Sequence, residues 1–201
     1  MEKKIIICLG REYGSGGKQL GRRVAEILGI AFYDKELVAE MSKQTGMDEE
    51  YLKKHDEQAP GFFEYSITER FGSTRLSGTS QTFVALNDTL KKLAAEKSGV
   101  FVGRGADYIL RDEPNLVKIF IHAPYKYRVR FIAKKRNVTV EEADKLIQKH
   151  DRERSRFYDF FTDKTWGQVD SYDLSVDISK LGEEETAQFV AEYVRKRAEK
   201  F

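Results

Sequence analysis

The stretch that most constrains this chain is its first turn, Gly10-Arg11-Glu12-Tyr13-Gly14-Ser15-Gly16-Gly17-Lys18. It follows a short apolar run, Ile5–Leu9, and precedes apolar positions at helical spacing, Leu20, Val24, Ile27 and Leu28. Strand, glycine-rich loop and helix in that order form a phosphate cradle. Glycines let the backbone curl with its N–H groups inward, and the helix start adds partial positive charge. Gly14, Ser15, Gly16, Gly17, Lys18 and Gln19 are therefore the candidate phosphate-binding residues. The turn is not a complete Walker A motif, G-x-x-x-x-G-K-[ST]. With Gly17 as the glycine before Lys18, Glu12 stands where the first glycine belongs and Gln19 where Ser or Thr belongs.

The rest of the chain repeats the alternation. Ala31-Phe32-Tyr33, Val100-Phe101-Val102, Leu116–Ile121 and Leu174–Ile178 read as four more strands, short and mostly continuously apolar. Helical patterns stand over Lys18–Leu28, Lys35–Gln44, Asp48–His55, Gln81–Lys97, Tyr125–Arg136, a stretch from Thr139 to about Phe157, and Glu183–Lys200. Thr139 and Glu142 form a capping box. Helices separating buried strands predict a three-layer α/β domain with a five-stranded parallel sheet, and ligands then gather at the C-terminal strand ends. Those ends carry Gly10-Arg11, Asp34, Gly103-Arg104 and His122. A chain of 201 residues suits one domain over 1–201. Residues 46–80, rich in turn signals and in Phe62, Phe63, Tyr65 and Phe71, read as a mobile lobe or loop whose aromatics could serve a homodimer.

A net charge of +2 gives no global signature of a nucleic-acid partner. The lone Cys8 allows no disulfide within the chain and reads as a buried thiol. The sequence has neither a membrane-length apolar run nor a signal-peptide pattern, so a cytoplasmic protein is expected.

Several motifs together resemble the cytidylate kinase-like family of the P-loop nucleoside monophosphate kinases. They are Arg11–Gly17, Phe32-Tyr33-Asp34-Lys35-Glu36-Leu37, Val102–Leu110, Asp151-Arg152-Glu153-Arg154, Phe157-Tyr158, Trp166-Gly167 and Tyr172-Asp173-Leu174, in the family's order from about Ile5 to about Gly182. The resemblance implies a P-loop kinase fold. It also implies ATP and Mg2+ as cofactors, a nucleoside monophosphate such as CMP or a related small phosphate acceptor as substrate, and a lid over 149–166. Compared with true cytidylate kinases, the loop departs from their Gly-Pro-Ser-Gly-Ser-Gly-Lys-Gly-Thr. Without gaps, Gly17 falls on the lysine and Gln19 on the threonine. Leu20, Val24 and Leu28 then keep the family's buried helix phase, whereas a one-residue shift would turn Lys18 away by about 100°. Val102 and Gly105 stand where true cytidylate kinases end the third strand with two acids, in Asp-Gly-Arg-Asp, leaving Arg104.

The roles follow from that comparison. Lys18 and Arg11 are the candidate replacements for the missing lysine. Arg152 and Arg156 of the lid supply charge over the transferring group, where phosphoryl transfer needs positioning and positive charge. Arg104, Asp34, Lys149 and Glu153 are candidate acceptor contacts, and Asp34 is the candidate magnesium ligand, or else an N-cap for the helix behind it. Arg128 and Arg130 read as solvated charge, and Tyr158 and Trp166 as packing. A nucleotide sensor without efficient turnover is the other function the departures allow.

Overall fold

The computed structural model describes residues 4–34, 36–50, 52 and 78–201. Five strands form one sheet: β1 (Ile6–Arg11), β2 (Ala31–Tyr33), β3 (Gly99–Val102), β4 (Leu116–His122) and β5 (Leu174–Asp177). Every pairing is parallel and the order is β2-β3-β1-β4-β5. The glycine loop therefore leaves the central strand, which is hydrogen-bonded on both sides. The main helices are α1 (Gly17–Leu28), α2 (Glu36–Thr45), α3 (Gly78–Glu96), α4 (Ala106–Ile109), α5 (Tyr125–Arg136), α6 (Val140–Thr162) and α7 (Glu183–Ala198). The helix expected at Asp48–His55 is seen at Glu49, Glu50 and Leu52. Its remainder, and residues 53–77 of the lobe expected over 46–80, with its aromatics, lie outside the described residues.

Alternation along β1 makes the layers. Ile6 and Cys8 face a core shared with Leu37, Met41, Leu86, Leu90 and Phe101. Ile7 and Leu9 face the opposite core, with Leu20, Val24, Val190 and Val194. Neither face of the strand meets water, which is why it reads as an unbroken apolar run. Cys8 is buried as expected, and burial pushes its thiol pKa up.

Helices α5 and α6 pack on each other through a third, smaller core of Val129, Ile132, Ala143 and Ile147, against which Tyr13 of the loop is packed. The capping box at the start of α6 is present: Glu142 N donates to Thr139 Oγ1 at 3.1 Å and Thr139 N to Glu142 Oε2 at 2.9 Å. The helix runs on to Thr162, past the expected end near Phe157. Among the described residues, no helix is long and apolar enough to cross a membrane.

Candidate functional site at the glycine loop

The loop is pinned to the sheet at its start, where Glu12 N donates to Ile121 O at 3.0 Å and Gly103 N to Leu9 O at 3.0 Å. Gly16 then opens α1 in the left-handed region at φ 86°, a conformation that a side chain would strain. Ser15 is fully buried. Its hydroxyl donates to Glu12 O at 2.9 Å and accepts from Gly17 N at 3.2 Å, so it braces the loop from within. Gly14, Gly16, Gly17, Lys18 and Gln19 line a cleft of ≈ 470 Å³ above it.

The ends of β1, β2 and β3 meet at one rim of that cleft. Lys18 Nζ is ion-paired with Asp34 Oδ2. Arg104 Nη1 lies 3.6 Å from Asp34 Oδ1 and 3.3 Å from Val102 O. Arg104 itself adopts φ 57°, a rare conformation for a side-chain-bearing residue, so the strand end is shaped to aim it. Burial of Asp34 works against its charge, but the hydrogen bond from Lys18 and the charges of Arg104 and Arg11 outweigh it and hold the carboxyl below its ordinary value. The Asp34 carboxylate is thus engaged by cations. The turn behind it is closed by its main chain, with Leu37 N donating to Asp34 O at 3.2 Å.

The opposite rim is a network that sequence reasoning missed. Arg128, expected to be solvated, is only 6 % exposed. It donates to Ala123 O at 3.2 Å and Tyr13 O at 3.1 Å, and pairs with Glu12 Oε2 at 3.2 Å and Asp151 Oδ2 at 2.5 Å. Tyr13 N donates to Asp151 Oδ1 at 2.7 Å and Ala123 N to Glu12 Oε2 at 3.1 Å. The outermost turn of the loop is thereby tied to β4, α5 and α6. The tie is close-packed as well, since a Cβ on Gly14 would stand 2.9 Å from Ile132 Cγ1.

Further basic side chains enter from α5 and α6. Lys135, Arg136, His150 and Arg154 line the cleft. Arg154 Nη1 donates to Arg11 O at 3.2 Å, and its guanidinium stands 5.6 Å from the Tyr13 ring centre. The His150 ring packs on Tyr13 with centres 4.3 Å apart. Burial lowers the Lys135 pKa, helped by the charges of Lys18 and Arg136 and opposed by Glu183. Burial likewise lowers that of His150, with Arg154 and Lys149 adding to the effect and Glu153 opposing it.

The sequence-proposed residues are thus divided. Lys18, Arg11, Gln19, Asp34 and Arg104 come together around the loop. Lys149, Arg152, Glu153 and Arg156 do not join them; they line a separate depression on the outer side of α6. Helix phase is the reason. Ile147, Asp151, Arg154 and Tyr158 recur at three- to four-residue spacing on the side that meets the loop and the core, and this turns 149, 152 and 156 away. That spacing was the available signal for Arg154. Tyr158, expected to be packing, is buried, and its hydroxyl also donates to Asp107 Oδ2 at 2.6 Å. Burial raises the Asp107 carboxyl above its usual value despite that bond. Among the described residues, no three His, Cys, Asp or Glu side chains converge on a metal position.

This geometry can be set beside known proteins. A family model described as the cytidylate kinase-like family matches residues 6–180. A cytidylate kinase of Methanopyrus kandleri is 27% identical over 188 residues, covering 90% of this chain and 89% of its own. The crystal structure of an uncharacterized protein from Eubacterium ventriosum superposes with a TM-score of 0.71 at 24% identity, over 96% of this chain and 99% of that one. A shikimate kinase from Acinetobacter baumannii, solved in complex with shikimate, gives a TM-score of 0.54 at 16% identity, over 97% and 95%.

Proposed function

The chain belongs to the cytidylate kinase-like family, and on that premise we propose that it transfers the γ-phosphoryl group of ATP to a nucleoside monophosphate, CMP or a close analogue, or to a related small phosphate acceptor. The observation that carries the reading is the charge of the cleft. Among the described residues, Arg11, Lys18, Arg104, Lys135, Arg136 and Arg154 line it, against the acids Glu12 and Asp34. A glycine cradle under surplus cations suits a polyphosphate, and phosphoryl transfer depends on such charge and on positioning more than on covalent chemistry.

Within that reading each residue has a task. Loop N–H groups and the start of α1 receive phosphate oxygens. Arg104, aimed from the end of β3, takes the acceptor's phosphate in a bidentate pair. Magnesium would bring further positive charge between the phosphate oxygens, and Asp34 is the residue to hold it, as expected for an ion that keeps most of its waters and few protein ligands. Lys149, Arg152, Glu153 and Arg156 keep the acceptor and lid roles that the family resemblance implies, provided that α6 turns on closure.

The test is ADP formation by the purified protein with ATP, Mg2+ and a panel of nucleoside monophosphates. At least one acceptor should stimulate ADP release severalfold. If none does while ATP still raises the melting temperature, the protein binds nucleotide as a sensor and the kinase reading falls.

A further inference from the structure

Two positions of the loop have exchanged what they carry. With Gly16 as the glycine before the lysine in G-x-x-x-x-G-K-[ST], the motif's first glycine falls on Arg11 and its lysine on Gly17. A side chain has appeared where the motif has none, and one has vanished where the motif needs its cation. The geometry joins the two changes. A Cβ built on Gly17 would lie 2.7 Å from Arg11 Cβ and 3.3 Å from Ile121 Cβ. Cβ atoms do not approach so closely, and strand and helix backbone fix both positions. Only one of the two sites can bear a side chain. A lysine at 17 requires glycine at 11, and arginine at 11 requires glycine at 17.

We propose that Arg11 is the loop's phosphate-binding cation: delivered from the end of the central strand, it replaces the lysine that the motif delivers from the helix and contacts the terminal phosphates of a nucleoside triphosphate. The inference rests on the nucleotide-binding part of the proposed function. Arg11 is 8 % exposed and lines the cleft together with Lys18, Asp34 and Arg104. Its charge reaches Asp34, helping to keep that carboxylate ionised. Its carbonyl is held by Arg154, so the strand end is fixed. A guanidinium offers phosphate a planar two-point contact in place of the ammonium's single charge. Lys18 fills a different place. One residue further around α1, by about 100°, it is turned toward Asp34.

The exchange is tested by reversing it. Binding of ATP, ADP and AMP is measured by calorimetry for the wild type, Arg11→Ala, Arg11→Lys, Gly17→Lys and the double variant Arg11→Gly/Gly17→Lys. Removing a charged hydrogen bond to phosphate should cost Arg11→Ala about ten- to a hundredfold in ATP affinity, with a smaller loss for AMP. Arg11→Lys should retain most of the affinity. Gly17→Lys alone should lose binding or folding, and the double variant should regain ATP affinity to within about tenfold of wild type. Arg11→Ala binding ATP like wild type, or a double variant no better than Gly17→Lys alone, overturns the inference. Should Arg11→Ala fail to fold, the two Gly17→Lys proteins still decide the matter. A wild type that binds no nucleoside triphosphate is the separate outcome that removes the proposed function itself.

Discussion

Two ionic clusters flank the same loop, and they are built on opposite terms. On the α5–α6 side one guanidinium, Arg128, faces two carboxylates, Glu12 and Asp151, and its Nε and Nη1 also donate to the main-chain oxygens of Ala123 and Tyr13. On the strand side three cations, Arg11, Lys18 and Arg104, act on one carboxylate, Asp34. The first cluster sets two acids, which also accept from Tyr13 N and Ala123 N, against one cation, so it offers nothing to an anion. Among the described residues the second brings three cations to one carboxylate, an arrangement that suits a bound anion as well. The sign of the local charge thus separates the part that holds the loop from the part proposed to receive phosphate, although both are rich in the same residue types.

The sharpest way to break this comparison is to remove Arg128. Arg128→Ala would strand two acids that are each about a fifth exposed, Glu12 at 23% and Asp151 at 19%. Losing one partner of a buried pair costs about 3 kcal/mol or more, a fall in melting temperature of roughly 6–12 °C for a chain of this size. Calorimetry of the unliganded protein reads it. A melting temperature within 2 °C of wild type would mean that the α5–α6 cluster is not structural and that the distinction between the two sides is false.

Asp34 sharpens the other side. Its carboxyl is held below the ordinary value in the folded protein. The stability that it contributes is therefore complete above the unfolded value, about 3.9, and is lost as pH falls through the folded one. Asp34→Asn should be less stable than wild type at pH 7, by about 1–3 kcal/mol, because three cations lose their counter-charge. It should also lack the part of the acid-side decline, below about pH 4, that belongs to this group. Added inorganic phosphate should close the gap at pH 7, raising the variant's melting temperature more than the wild type's. Equal gains in phosphate would show that the strand-side cations do not form an anion site.

How far these two sides could be read in the sequence differs for a physical reason. Strands such as Ile5–Leu9, the phase of Leu20 and Val24, and the Thr139–Glu142 box are set by neighbours a few residues away, so spacing alone exposes them, and with them the parallel sheet. Asp34, Arg104 and Arg11 could be found because a parallel sheet brings its C-terminal strand ends together whatever lies between them. Arg128 could not. Its partners Tyr13 and Asp151 lie 115 and 23 positions away, and within its own helix it resembles any charge on a basic face. The clash between Gly17 and Arg11 was hidden in the same way. The sequence reports a missing lysine and an extra arginine, but only backbone geometry makes them one event.

Helix α6 gives the smallest and most local contrast, because its two faces carry the same chemistry. Arg154 reaches Arg11 O and stands over Tyr13, while Arg156 lies two residues on, exposed, along the depression shared with Lys149 and Arg152. Two residues on a helix are about 200° apart, so the two arginines cannot serve one cleft without a turn of the helix. Arg154→Ala should lower ATP affinity about tenfold, the lower end for one charged contact. Arg156→Ala should change it less than twofold and leave stability within about 0.5 kcal/mol, as surface charges generally do. Calorimetric titration of both variants with ATP gives the ratio. If Arg156→Ala loses more than Arg154→Ala, the nucleotide-bound protein has rotated α6 and the outer face is the working one. The surplus of charge at the strand ends would then be only part of the phosphate site, completed by a helix that moves.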